Sequence, residues 1–277
     1  MPDDSRLPPM AHEQFEQDGY ILCRGVFSCD RIHSLVDAVS EVVDRADRGE
    51  IEIPWIDRGS QLPARLSHLL SPDRYVPAFA QWLDDDMIAL LEAAVGNPIR
   101  HSLFGMLAGG GGQSYEQGWH RDLGKPGAPD EAEYLQRHHG RFIQLNAPLQ
   151  ASDRFLNIVP GSHLRASTSE EIEAQNADPS GSVEMPGAMV VELEPGDVVM
   201  YNANLWHRGW NPEGKMRWTL HAAFWLADVP VMAHEWGQRE VLSDPGHLEA
   251  LAPGTRTLIE RYLAACPESN PKALNEL

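Results

Sequence analysis

The sequence predicts a mainly β fold with flanking helices, its core a double-sheet jelly roll of the cupin-like kind. Three observations predict it. Helical periodicity dominates the first hundred residues. Short apolar strands replace it from residue 99 onward. Gly- and Pro-rich breaks separate those strands, among them Gly109-Gly110-Gly111-Gly112, Pro160-Gly161 and Glu194-Pro195-Gly196-Asp197. Strands that follow helices instead of alternating with them favour a double-sheet core with helices packed outside one sheet.

Residues 11–19 read as a short helix stopped at Gly19, and 20–27 as a strand. Ser28 is placed to cap a helix over 29–48, because Ile32, Leu35, Val36, Val39, Val42 and Val43 recur at three- and four-residue spacing before Gly49. The stretch 50–75 has no clean period and mixes Pro54, Trp55, Arg58, Gly59, Pro63 and Arg65, so it reads as a binding loop, a lid or a surface Ω-loop. Phe79, Leu83, Met87, Leu90, Leu91 and Ala94 give 76–95 a helical stripe closed by Gly96-Asn97-Pro98. Strands are expected at 99–107, 141–149, 155–159, 189–192, 197–202 and 217–226. The four-glycine run has neither a following Lys-Ser/Thr nor a GxGxxG helix start, so it reads as a flexible connection and not a phosphate cradle. A loop and a terminal helix carrying Leu258, Ile259, Tyr262 and Leu263 account for 227–277, with a frayed tail from Glu268 onward. With no repeat, low-complexity block or linker, residues 1–277 are expected as a single domain. It comprises a helical N-terminal part (about 1–98), a jelly-roll core (about 99–226) and a C-terminal extension (227–277).

Composition narrows the function class. Apolar residues make up 42% and charged residues 23% of the 277, which is ordinary for a globular chain. A formal charge of −19 argues against nucleic acid or an anionic membrane as partner, since those contacts rest on Lys and Arg. No run approaches the ~18 apolar residues of a membrane span. The polar start Met1-Pro2-Asp3-Asp4-Ser5-Arg6 lacks signal-peptide character. Cys23, Cys29 and Cys266 are odd in number and have no CxxC spacing, so neither a disulfide framework nor a structural zinc site is indicated. A cytoplasmic protein acting on a small-molecule substrate is expected, and nothing specifies its oligomeric state.

Chemistry concentrates at Gly118-Trp119-His120-Arg121-Asp122. On extended backbone, residues two apart project to one side, so His120 and Asp122 can ligate one ion. His207, in Asn204-Leu205-Trp206-His207-Arg208-Gly209, would complete a 2-His-1-carboxylate triad with open positions for non-haem Fe(II). A turn through Asn211-Pro212-Glu213-Gly214 is expected to pair two antiparallel strands, setting His207 and Arg217 side by side. Arg217 has the planar fork that grips a carboxylate. A metal beside such a guanidinium is what 2-oxoglutarate demands: its keto-acid end chelates iron and its distal carboxylate needs a fixed cation. Gln144 and Asn146 share one face of the strand 141–149, for hydrogen bonding to 2-oxoglutarate or substrate, or for cross-strand pairing. His138 and His139 read either as substrate-facing or as solvent-exposed. Trp119 is expected to pack beside the metal, with Trp206 and Trp210 walling the pocket or buried in the core.

Taken together, Phe15-Glu16-Gln17-Asp18-Gly19-Tyr20, Trp119-His120-Arg121-Asp122, Val159-Pro160-Gly161-Ser162-His163, Pro195-Gly196-Asp197 and the stretch from His207 to Arg217 resemble the phytanoyl-CoA dioxygenase-like family of Fe(II)/2-oxoglutarate oxygenases. The resemblance implies a double-stranded β-helix, iron held by His120, Asp122 and His207, and the 2-oxoglutarate distal carboxylate held by Arg217. It implies a structural role for the Pro-Gly-Ser-His turn, His163 included. Many members carry Ser two positions after the distal histidine. Here that residue is Gly209, with Thr219 or a water expected in its place. The implied reaction consumes dioxygen and 2-oxoglutarate, releases succinate and carbon dioxide, and hydroxylates a C–H bond of a small-molecule metabolite. Related halogenases replace the carboxylate ligand with a small residue, so Asp122 argues for hydroxylation. Desaturation, epoxidation and cyclisation stay open, as do a cupin-type metalloenzyme without 2-oxoglutarate and a non-catalytic jelly-roll binding protein. Specificity is expected in 50–75, 123–140 and 164–188. The last is acidic, with Glu170, Glu171, Glu173, Asp178 and Glu184, and reads as a solvated loop. Few Lys and Arg make a CoA ester less attractive, although Lys125, Arg137, Arg141 and Arg165 could cluster.

Overall fold

Two helices open the chain, and both stop where local chemistry says they should. Helix α1 (Ala11–Asp18) ends at Gly19, whose φ of 79° is left-handed and whose N–H returns to the Phe15 carbonyl. Helix α2 (Cys29–Asp47) starts at Ser28, whose hydroxyl accepts from the Arg31 N–H, and it buries Ile32, Leu35, Val39, Val42 and Val43. A computed structural model describes residues 10–177, 183–269 and 271–274. The expectations for residues 1–6, for Asp178 and for part of the tail lie outside these residues.

Strand β1 (Tyr20–Cys23) is shorter than the expected 20–27. The Asp197 carboxylate takes the Arg24 side chain at 2.6 Å and the Gly25 N–H at 3.0 Å, drawing the chain out of the sheet. Residues 50–75 hold three short strands, β2 (Trp55–Asp57), β3 (Leu62–Pro63) and β4 (Arg65–Leu66). The expected helix over 76–95 divides into a 3-10 turn (Pro77–Gln81) and α3 (Asp85–Val95), because Asp84 caps the second piece through the Met87 N–H at 2.9 Å. Then come β5 (Ile99–Gly109), β6 (Tyr115–Glu116), α4 (Glu131–Arg137), β7 (Phe142–Pro148), β8 (Asp153–Val159) and α5 (Ser169–Ala177). They are followed by β9 (Met189–Leu193), β10 (Val198–Asn202), β11 (Trp206–Asn211), β12 (Arg217–Leu226), α6 (Arg239–Leu242), α7 (Pro245–Ala250) and α8 (Pro253–Ala264). Helices α4 and α5 lie where the sequence reads as irregular, since two turns are too few to establish a period.

The core is a double-stranded β-helix. One antiparallel sheet has the order β1-β10-β7-β12-β5-β4, the other β6-β11-β8-β9. On the six-stranded sheet, alternation separates two functions. Phe104, Met106, Leu145, Ala147, Met200, Leu220, Ala222 and Phe224 pack with α1, α2, α3 and α8 in the main hydrophobic core. Leu103, Leu107, Gln144, Asn146, Tyr201, Arg217, His221 and Ala223 instead line a cavity whose wall is completed by the four-stranded sheet.

Two expectations about layout change, and a third feature is added. First, β11 and β12 do not form a hairpin. The turn is present, with the Asn211 side chain closing on Lys215 through both its donor and its acceptor, yet it is a crossover between sheets. Strand β12 pairs with β5 along its whole length and with β7 on its other edge, so no edge is left for β11, which pairs with β6 and β8. Second, the N-terminal part supplies both outer strands of the large sheet, β1 and β4. Third, the C-terminal extension docks on the start of β5. Glu235 takes two hydrogen bonds from Arg100 at 3.0 and 3.1 Å with both side chains buried, and the Gln238 amide donates to the Ser102 carbonyl. Among the described residues no helix is long and apolar enough to cross a membrane.

Candidate metal centre

The two ligand-bearing segments are paired directly. His120 and His207 exchange both backbone hydrogen bonds, at 3.1 and 3.0 Å, and the Asp122 N–H donates to the Ala203 carbonyl. Opposed residues of an antiparallel pair put their side chains on one face, and the two imidazole centroids lie 4.3 Å apart. Each ring uses Nδ1 on the carbonyl two residues before it, Gly118 for His120 and Leu205 for His207, both at 2.9 Å. A carbonyl only accepts, so Nδ1 carries the proton in each ring and Nε2 carries a lone pair, which at His120 accepts from the Gln117 amide at 3.2 Å, a contact a metal ligand bond would replace.

The Asp122 carboxylate completes the group. Its Oδ1 is 3.6 Å from His120 Nε2 and 3.9 Å from His207 Nε2, and the three ligand atoms all lie within 4.8 Å of one another. Its Oδ2 accepts from the Gln144 amide, whose own oxygen accepts from the Tyr201 hydroxyl. That chain orients the amide and leaves Oδ1 as the inward donor. Burial pushes the Asp122 carboxyl up to about 6, against the pull of His120, and burial holds His207 well below the usual imidazole range. Two neutral imidazoles and a partly desolvated carboxylate facing one point are a donor set that a divalent cation relieves, and non-haem Fe(II) takes this set.

The alternate residues of both segments lie on the other face and lock the pair from behind, with Arg208 also bordering the cavity. The Arg208 guanidinium is stacked 4.4 Å from the Trp119 ring and 4.3 Å from Trp210, and it reaches Asn157 and Glu184. Arg121 is buried over Trp206 and donates to the Ser162 carbonyl at 2.7 Å. The Ser162 hydroxyl in turn accepts the Trp206 N–H at 2.8 Å. The Pro-Gly-Ser-His turn therefore braces both ligand segments. Trp206 and Trp210 do not wall the cavity, because period-two alternation puts them on the face opposite His207.

Arg217 is buried in the cavity wall at the first position of β12, over Phe155, with burial lowering its pKa from the ordinary arginine value. Its Nε donates to Thr219 Oγ1 at 3.0 Å, and that hydroxyl donates to Asp153. Thr219 is fully buried and outside the cavity wall, so it positions the guanidinium instead of meeting a ligand itself. Gly209 has its own occupant: a Cβ there would sit 2.8 Å from the Tyr115 ring and 3.3 Å from Gln117 Oε1. Tyr115 thus fills the space beside Gly209, and Gln117 links the Gly209 N–H to His120 Nε2.

These groups share one cavity of about 340 Å³, lined by residues of both sheets. Gln144 and Asn146 are both in its wall, but Gln144 is engaged with Asp122, and Asn146 accepts from His221 at 2.7 Å. His163 is buried against the Glu16 carbonyl and stacked on His139, which pairs with Glu16. His138 is buried beside Tyr134, and none of these three histidines lines the cavity. The described residues of 123–140 and 164–188 contribute nothing to the wall. The extension does, through His234, Glu235, Gln238 and Leu274, and so do Arg65 and His68 from 50–75. The apolar stripe of the terminal helix signals packing, but the sequence gives no sign that residues 234–238 reach the cavity, because the Arg100–Glu235 pair and the Gln238 bonds that place them join residues far apart in the chain.

A family model described as "Phytanoyl-CoA dioxygenase (PhyH)" matches residues 15–211. No curated protein matches the sequence significantly. Solved structures share the fold. AviO1 from Streptomyces viridochromogenes Tue57 is 22% identical, with 81% of this chain and 96% of that one covered and a TM-score of 0.57. EctD from S. alaskensis, crystallised with 2-oxoglutarate and 5-hydroxyectoine, is 16% identical, with 82% and 79% covered and a TM-score of 0.58. The non-heme alpha ketoglutarate dependent carbocyclase SnoK from nogalamycin biosynthesis is 17% identical, with 81% and 86% covered and a TM-score of 0.57.

Proposed function

Because the chain belongs to the phytanoyl-CoA dioxygenase family, and so to the Fe(II)- and 2-oxoglutarate-dependent oxygenases, we propose that it hydroxylates a C–H bond of a compact small-molecule metabolite. The observation that carries this reading is the convergence of His120, Asp122 and His207 on one point of a cavity that also holds Arg217. In this reading His120 and His207 ligate iron through Nε2 and Asp122 through Oδ1. Arg217 holds the distal carboxylate of 2-oxoglutarate. With 2-oxoglutarate and dioxygen, bound Fe(II) supplies an oxidant strong enough for an unactivated C–H bond, while 2-oxoglutarate is decarboxylated to succinate. Gln144 and Tyr201 keep Asp122 turned toward the metal, and Leu103, Leu107, Phe142 and Leu156 keep the reacting space apolar.

A small substrate is supported by the cavity volume, near the low end of the ~300–1,000 Å³ common for ligand sites, and by EctD, whose structure contains 5-hydroxyectoine. The carbocyclase SnoK has the same fold, so cyclisation by the same oxidant is the second reading. The test is succinate release from 2-oxoglutarate, with Fe(II) and ascorbate, by the wild-type protein and by Asp122→Ala. Metal-dependent turnover is expected in the first and none in the second. Turnover retained in Asp122→Ala would refute the ligand assignment.

A further inference from the structure

The cavity holds a second guanidinium that the roles above leave unused. Arg65 lies on edge strand β4 opposite Leu107, lines the cavity, and has no ion-pair partner among the described residues. Burial first, and the Arg65 charge after it, lower the His221 pKa, so the guanidinium is within electrostatic reach of the cavity groups. The segment that carries it is held in a definite shape. The β4 backbone lies directly on Gly105, where a Cβ would collide with the Leu66 carbonyl. Three residues on, His68 adopts a left-handed φ of 56° in the cavity wall, with a buried Nδ1 that finds no partner among the described residues. A strained histidine in a ligand cavity is where functional sites keep their strain.

The unpaired donor fork of Arg65 says what it is for, and this rests on the reading above. Arg217 is already matched: the distal carboxylate of 2-oxoglutarate would meet it in front, and Asp153 is buried behind it through Thr219. Glu235, the one carboxylate in the wall besides Asp122, is taken by Arg100. Arg65 is solvent-exposed and lines the cavity, and its donor fork has no ion-pair partner among the described residues, in a chain whose formal charge is −19. Leu107 lies opposite it in the strand pairing, and the wall also carries Leu103, Phe142, Leu156 and Ala223. We infer that the primary substrate is a compact carboxylate whose anionic end is held by Arg65 at the cavity mouth while its apolar body lies along Leu103, Leu107 and Phe142. Arg65 thereby sets substrate specificity and takes no part in holding 2-oxoglutarate.

The probes are matched pairs of a carboxylate and its primary amide: benzoate and benzamide, cyclohexanecarboxylate and its amide, octanoate and octanamide. Each is titrated by calorimetry and thermal shift into full-length protein loaded with Mn(II) and saturating 2-oxoglutarate. Carboxylates are expected to bind in preference to their amides, and Arg65→Gln to lose that preference by roughly 10- to 100-fold, the range for a hydrogen bond to a charged group. Arg65→Lys is expected to keep part of it. The 2-oxoglutarate affinity of Arg65→Gln, measured alone, should change less than about twofold, against a large loss in Arg217→Gln. No preference for any carboxylate in the wild type overturns the inference, as does an equal loss of 2-oxoglutarate affinity in the two variants. Wild-type protein that binds metal but not 2-oxoglutarate overturns the oxygenase reading and this inference with it.

Discussion

Replacing Ser162 with Ala removes the acceptor of the Trp206 N–H, a 2.8 Å hydrogen bond in which both residues are fully buried. The net value of such a bond is about 1 kcal/mol, but a donor left buried without a partner raises the cost to about 1–3 kcal/mol. For a chain of this length each kcal/mol moves Tm by about 2–4 °C, so a fall of about 2–12 °C is expected. Trp206 immediately precedes His207, and the Ser162 carbonyl also holds Arg121, next to His120 and Asp122. The variant should therefore also lose several-fold in Mn(II) affinity. Calorimetric melting of the metal-free protein measures the first effect and Mn(II) titration the second. A Tm within about 1 °C of wild type would show that the Trp206 N–H finds another partner. An unchanged Mn(II) affinity at a lowered Tm would refute the link between this turn and the ligand segments.

Arg217→Gln should raise the dissociation constant for 2-oxoglutarate by about 30-fold or more, and Arg217→Lys by less, since a point charge replaces a fork; anaerobic 2-oxoglutarate titration of the Fe(II) protein reads both. Gly209→Ser should cost about 1 kcal/mol with Tyr115 present and nothing in a Tyr115→Ala background; equal cost in both backgrounds removes the contact as the cause. Burial holds His101 and His163 at about 4, below the ordinary imidazole value of 6.5. The unfolded chain therefore binds more protons than the folded one below pH 6.5, and stability falls as pH drops from there to about 4, by about 3 kcal/mol for each histidine. A stability–pH curve for His101→Gln should have a shallower acid limb than wild type, and an identical limb would exclude His101 as a contributor.

Much of the site is local chemistry and can be read from residue order. Period two on extended backbone is enough to set His120 beside Asp122; the same rule turns Arg121 and Trp119 away, which corrects the expectation that Trp119 packs beside the metal, and on β11 it separates His207 from Trp206 and Arg208. Caps are local too, which is why Ser28 and Gly19 bound their helices as expected. Gln144 was identifiable as a polar residue on an inward face, yet its partner was not, because Asp122 reaches it only through the pairing of the 118–122 segment with 203–207. Arg65 stood among the residues that made 50–75 read as a binding loop, a lid or a surface Ω-loop, but no role could be given to it, since a two-residue strand leaves no pattern.

The sequence by itself determined the kind of chemistry: two histidines, a carboxylate and an arginine in a strand-rich chain, with the donor atoms a non-haem metal takes and the fork a dicarboxylate needs. Only the tertiary structure decided that His207 and Arg217 belong to different sheets and line one cavity, that the C-terminal extension supplies part of its wall, and that Arg65 has no ion-pair partner among the described residues. The physical reason is that side-chain direction depends on the nearest backbone. Strand partnership depends on which edges the rest of the chain has already taken, and β12 had none free for the strand that precedes it.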